Sequence, residues 1–183
     1  MQLSSELKEA ISHLSHKEKD KLLFRLLKKD PDLCQRLQFE LVEQGETLQE
    51  RREAVAAEIE RQVKYEAYSP GYLMMDMRSL SGDITRQMKY TKDKEGEIQL
   101  TLLLLRRYLS EHIDFIIAYL YRADSLQDYM VKRMQAVLQK LRKLHEDLYI
   151  EYEDDVNYIL QQLHQKVAPL QAHKAKLPKE WPF

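Results

Sequence analysis

Several groups of side chains in this 183-residue sequence have the types and spacing to do chemistry. The first is His112, alone among apolar residues in "LLLLRRYLSEHIDFIIAYLY" (102–121). An imidazole there could serve as a general base or as a ligand in an internal pocket. Wound at about 100° per residue, the segment puts His112 in the middle of an apolar half. Glu111 and Asp114 point elsewhere, so a catalytic partner must come from another segment, and the sequence identifies none. The preferred reading is a packed histidine with one hydrogen-bonded ring nitrogen.

The second group is acidic: Glu146, Asp147, Glu151, Glu153, Asp154 and Asp155. Carboxylates alone can hold a hard cation such as calcium or magnesium. His145 and His164 fall on roughly the opposite side and do not complete a transition-metal set. "HEDLY" (145–149) ends in Tyr149 where a zinc-protease helix needs histidine, and Glu-x-x-His of di-iron bundles is absent. A solvated acidic face is the expectation, with no metal and no cofactor.

The third group is basic. Lys17, Lys19, Lys21, Arg25, Lys28 and Lys29 crowd one segment. Lys17, Lys21, Arg25 and Lys28 are the candidate phosphate contacts for nucleic acid. Smaller basic groups lie at 132–143 and 86–94, the latter around Tyr90. Carboxylates four residues away, such as Glu146 and Asp147 for Arg142 and Lys143, consume part of that charge. Net charge is -1, from 29 basic and 30 acidic residues, so nothing pulls the whole chain toward a polyanion. Nucleophile signatures and Gly-rich phosphate loops do not occur. Cys34 is the only cysteine and is expected as a small buried hydrophobe. Intrachain disulfides and multi-thiolate zinc sites are thereby excluded.

The elements that must position these residues are helices. Four glycines and five prolines are too few for a hairpin-rich fold, and Leu, Glu, Lys, Gln and Arg favour helix. The expectation is all-α: a bundle of about seven to eight helices, with long antiparallel helices in the C-terminal half. The apolar run does not cross a membrane. Arg106, Arg107, Glu111 and Asp114 interrupt it, and each charge near a bilayer centre costs roughly 2.5–3.5 kcal/mol. It reads as a central helix, buried except along the edge carrying Arg107, Glu111 and Asp114, with Arg107 and Glu111 paired.

Short helices open the chain. "SHKE" (15–18) is a capping box for a helix to about Lys29, with Leu22, Leu23, Leu26 and Leu27 on its buried side. Pro31 starts the next helix, which carries Leu33, Leu37 and Leu41 toward Gly45. Three short helices hinged at Ser15 and Asp30–Pro31 resemble the start of an α-solenoid such as a HEAT-type array. The likeness covers residues 1–45 only and concerns architecture.

Residues 47–67 form a longer helix with a thin stripe of Leu48, Val55, Ile59 and Val63, and a Glu60–Lys64 pair. "YSPGY" (68–72) is the clearest break and a candidate sub-boundary. A helix follows with a kink expected at "SGD" (81–83) and a polar connection at 91–97. Met130, Met134, Val137, Leu141, Leu144 and Leu148 then form a coiled-coil-like seam. A single helix over 125–168 would be about 66 Å long, against a radius of gyration near 16 Å for a compact chain of this size. A break within 147–155 is therefore expected. One helical domain over 1–170 and a tail at 171–183, ending in Trp181 and Phe183, complete the organisation.

The function expected is protein–protein contact or scaffolding without catalysis, with a protein partner or a second copy as a homodimer. Met130, Met134, Leu141 and Trp181 mark the interaction surface. The second reading is nucleic-acid association through 17–29, and the third a metal or small-molecule enzyme around His112. The opening "MQLSSELKEAISHL" has no basic segment followed by an apolar run, so a cytoplasmic location is expected, with no membrane partner.

Overall fold

The computed structural model describes residues 3–182, and they form helices and no strand. In chain order the α-helices are α1 (Ser5–Ser12), α2 (His16–Leu27), α3 (Pro31–Leu37), α4 (Leu48–Gln62), α5 (Pro70–Thr91), α6 (Lys94–Ala118), α7 (Asp124–Leu141), α8 (Glu153–Gln162) and α9 (Pro169–Lys174).

Local chemistry sets most of the helix starts. Ser15 Oγ accepts from the Glu18 N–H at 3.4 Å, while the Ser15 N–H donates to Glu18 Oε2 at 2.9 Å. Asp30 accepts from the Leu33 N–H ahead of Pro31, and Ser69 from the Tyr72 N–H ahead of Pro70. Each cap satisfies a backbone donor that helix geometry leaves orphaned.

α6 is the axis of the fold, contacted by α4, α5, α7, α8 and the π-helical turn at Leu163–Val167. Leu102, Leu104, Leu105, Tyr108, Leu109 and Ile116 are fully buried along it. Roughly 1.5–3 kcal/mol per large apolar side chain makes this helix the main source of cohesion. Short connections between packed neighbours make α5, α6 and α7 alternate in direction.

Several local expectations are corrected. α5 runs unbroken through Ser81–Asp83, because Ser81 is buried and its hydroxyl meets Tyr129 Oη of α7 at 2.6 Å. The expected polar connection at 91–97 shrinks to Lys92 and Asp93, and Gly96 and Glu97 are buried in the first turn of α6. Asp93 caps that turn by accepting from the Gly96 N–H at 2.9 Å. Arg52 of α4 grips the same carboxylate at 2.6 Å through Nε and through Nη2. Burial alone would raise the Asp93 carboxyl, but Arg52 and the Gly96 N–H outweigh it and hold it below its ordinary value.

The wet edge of α6 is a set of tethers. Arg107 pairs with Glu60 of α4 at 2.8 Å, not with Glu111, and Arg106 pairs with Asp155 of α8. The chain also breaks earlier than expected after α7. That helix stops at Leu141, a 3-10 turn occupies Glu146–Glu151, and α8 starts at Glu153. Arg142–Glu146 and Lys143–Asp147 therefore share no continuous helix.

The N-terminal arm differs in kind from this core. No residue of α1, α2 or α3 is buried. Leu22 and Leu27 are half-buried, but Leu23 and Leu26 face solvent, against the expectation for that side of α2. Phe24 is 59% exposed. α3 ties the arm down on α5, where Asp32 accepts from Lys89 and Tyr90 at 2.6 and 2.7 Å.

Candidate functional sites on the arm and at His112

α2 presents its cations on one side. Lys17, Lys21, Arg25 and Lys28 fall within about 80° of one another around the helix. All four are exposed and none is paired with a carboxylate among the described residues. Phe24 lies in the same stripe. Lys19, off this side, is tied to the Ser12 carbonyl at 3.0 Å. Segment 15–29 thus carries six cations against Glu18 and Asp20, in a chain of net charge -1. Exposed Leu3 and Leu7 of the α1 region add apolar surface to the arm.

The expected interaction seam lies inside the molecule. Met130, Met134 and Leu141 have no exposed surface, because α5, α6 and α9 pack on α7. A coiled-coil-like spacing states only that an apolar stripe needs a partner, and the chain supplies it here. Trp181 likewise meets its own chain. Its backbone N–H donates to Asn157 Oδ1 at 2.7 Å, and its ring meets Tyr149 edge-on at 5.8 Å. Leu177 is buried, and its carbonyl and that of Pro178 hold His164 Nε2 at 3.2 and 3.0 Å. Phe183 lies outside the described residues.

His112 stands at a kink. Its backbone leaves the helical region (φ −110°, ψ 15°) in the middle of α6. The ring is 8% exposed and packs on Tyr108 with centroids 5.5 Å apart. The Val63 carbonyl, just beyond α4, faces the ring and favours its charged form. Burial pushes the imidazole below its ordinary value; the Val63 carbonyl and the charges of Glu111 and Asp76 oppose that without overcoming it.

The acidic group absent from the sequence reading is Asp76 of α5. Asp76 is exposed, but partial desolvation of its carboxyl raises it, and the electrostatic pull of His112 offsets this only in part. The Tyr108 hydroxyl is buried without a hydrogen-bond partner among the described residues; burial, then Asp76 and Tyr129, raise it. Thus α5 and α6 bring Asp76, Tyr108 and His112 together across thirty-odd residues of chain. In the sequence Asp76 stands out only as an acid inside the Met-rich run "YLMMDMRS" (72–79).

The acidic residues at 146–155 disperse. Asp147 turns toward His145, whose Nδ1 accepts from the Asp147 N–H at 3.4 Å, and Asp155 is taken by Arg106. Among the described residues no three acidic, histidine or cysteine side chains converge as metal ligands would. Cys34 is exposed, not buried, because α3 shows that side to solvent. No described helix is long and apolar enough to cross a membrane.

Comparison with known proteins finds no matching family model, no matching curated protein and no matching solved structure.

Proposed function

We propose that this chain is a non-catalytic binding module whose N-terminal arm, α1 and α2, docks an acidic amphipathic helix of a partner protein. The observation that carries this reading is the exposure of Leu3, Leu7, Leu23, Phe24 and Leu26 on an arm with no buried residue in either helix. Several large apolar side chains left exposed on one short element mark an interaction site more strongly than singly scattered ones do. Lys17, Lys21, Arg25 and Lys28 share their stripe with Phe24, on the side of α2 away from Leu23 and Leu26, and they set the sign of the partner. A second copy docked arm to arm would set lysine against lysine, which disfavours that homodimer. A non-catalytic role fits His112, whose ring is packed on Tyr108 at a kink. A cytoplasmic setting fits Cys34, an exposed thiol with no partner cysteine in the chain.

A second reading has the four cations bind nucleic-acid phosphates, favoured by their freedom from carboxylates. Phosphates leave Leu23 and Phe24 without a use, so it stands behind the first. Photo-crosslinking in the native cells separates the two, with the reactive side chain at position 24 and a control at exposed Ile150 outside the arm. Position 24 should capture one protein through an acidic amphipathic segment. Reversing the charge of Lys17, Lys21, Arg25 and Lys28 should abolish capture, and reversing the partner's acidic residues should restore it. Capture of nucleic acid, with retention that falls steeply with salt, would replace this reading by the second. Equal capture at 24 and 150 would refute both.

A further inference from the structure

We propose that the cleft between the α4–α5 connection and the first turns of α5 binds an alkylammonium group through tyrosine faces and two unpaired carboxylates. The cleft has a volume of about 630 Å³ and is lined by Tyr65, Glu66, Tyr68, Tyr72, Leu73 and Asp76. That volume lies within the usual span for ligand sites, about 300–1,000 Å³.

Three observations point to a cation. Tyr65, Tyr68 and Tyr72 are largely exposed, so ring faces with negative quadrupoles are accessible. Glu66 and Asp76 have no Lys or Arg ion pair among the described residues. The group that faces Asp76 electrostatically is His112, and its burial favours the neutral ring. The rim shows the same chemistry already: the Arg61 guanidinium sits 5.6 Å from the Tyr65 ring centroid, its charge matched by Glu58 at 2.5 Å.

The chemistry also selects the kind of cation. A hard metal ion needs several oxygen ligands converging on one point, and no such group occurs among the described residues. A weakly hydrated alkylammonium needs no fixed coordination and gains most from ring faces. Its source is either a free molecule of the choline kind or a methylated lysine on another chain.

Calorimetric titration of the full chain with choline, tetramethylammonium and 3,3-dimethylbutan-1-ol, the neutral carbon isostere of choline, tests this. The two cations should bind, and the isostere should bind at least about tenfold more weakly. Tyr68→Leu with Tyr72→Leu should weaken choline binding by about tenfold or more, and Asp76→Asn by several-fold, with far-UV circular dichroism unchanged. All three positions are exposed, so the variants should fold. A trimethyllysine peptide binding more tightly than choline, with its unmodified counterpart silent, would assign the group to a protein; choline binding more tightly would assign it to a free molecule. Equal binding of isostere and choline, or no heat from either cation up to roughly 50 mM on folded protein, would overturn the proposal.

Discussion

Gly96→Ala isolates the reason α6 begins where it does. In an ordinary helix the change would stabilise by about 1 kcal/mol, since alanine is the better helix former. Here a Cβ on residue 96 would stand 2.0 Å from Asp93 Oδ2 and 2.6 Å from Arg52 Nε. The carboxylate must move, and two interactions go with it. One is the Asp93 cap on α6, worth about 1 kcal/mol. The other is the two-bond Arg52–Asp93 pair, with side chains 18% and 8% exposed. It lies between a surface pair, about 0–1 kcal/mol, and a broken buried pair, about 3–5 kcal/mol, so about 2 kcal/mol is reasonable. The net is a loss of about 2 kcal/mol, or roughly 4–8 °C in Tm for a chain of this length. Urea denaturation read by circular dichroism measures it. In an Asp93→Ala background the closest clash is gone and Arg52, then held only through Gln99 and Glu95, can shift aside, so Gly96→Ala should change sign and stabilise by up to about 1 kcal/mol. Greater stability in the parent chain, or no change of sign in the second background, would refute the reasoning.

Other outcomes follow from the same structure. Met134→Ala, at a site with no exposure, should cost about 2–5 kcal/mol, whereas Leu23→Ser on the arm should stay within about 0.5 kcal/mol; paired denaturation curves compare them. Trp181 is the only tryptophan, so Asn157→Ala should red-shift its emission while leaving helical content unchanged; an unmoved spectrum would mean the tail is held without that bond. His112 titrates below its ordinary 6.5 in the folded chain, so the unfolded chain takes up its proton at higher pH than the native one. Its contribution is therefore complete above about pH 6.5 and lost as pH falls toward the folded value; His112→Gln should flatten the fall in stability between about pH 7.5 and 5.5. Lys92 caps α5 with φ +62°, so Lys92→Gly should raise stability by about 1 kcal/mol.

Some of this architecture is legible one helical turn at a time. The capping box at Ser15 and Glu18, Pro31 and Pro70 at helix starts, and the spacing of Leu102, Leu105 and Leu109 all act over three or four residues. An ordered list of amino acids therefore suffices to place those helices and to exclude a membrane span at 102–121. Which face meets which was settled only by folding. The stripe at 130–148 has the same spacing whether a second chain or α5, α6 and α9 cover it, and burial gave it to its own molecule. The leucines of α2 have helical spacing too, yet the fold leaves Leu23 and Leu26 in water. Arg52–Asp93, Arg107–Glu60 and the approach of Asp76 to His112 join residues more than thirty positions apart. Periodicity carries no information about such pairings, because they depend on how helices lie against one another and not on the order of residues within any one of them.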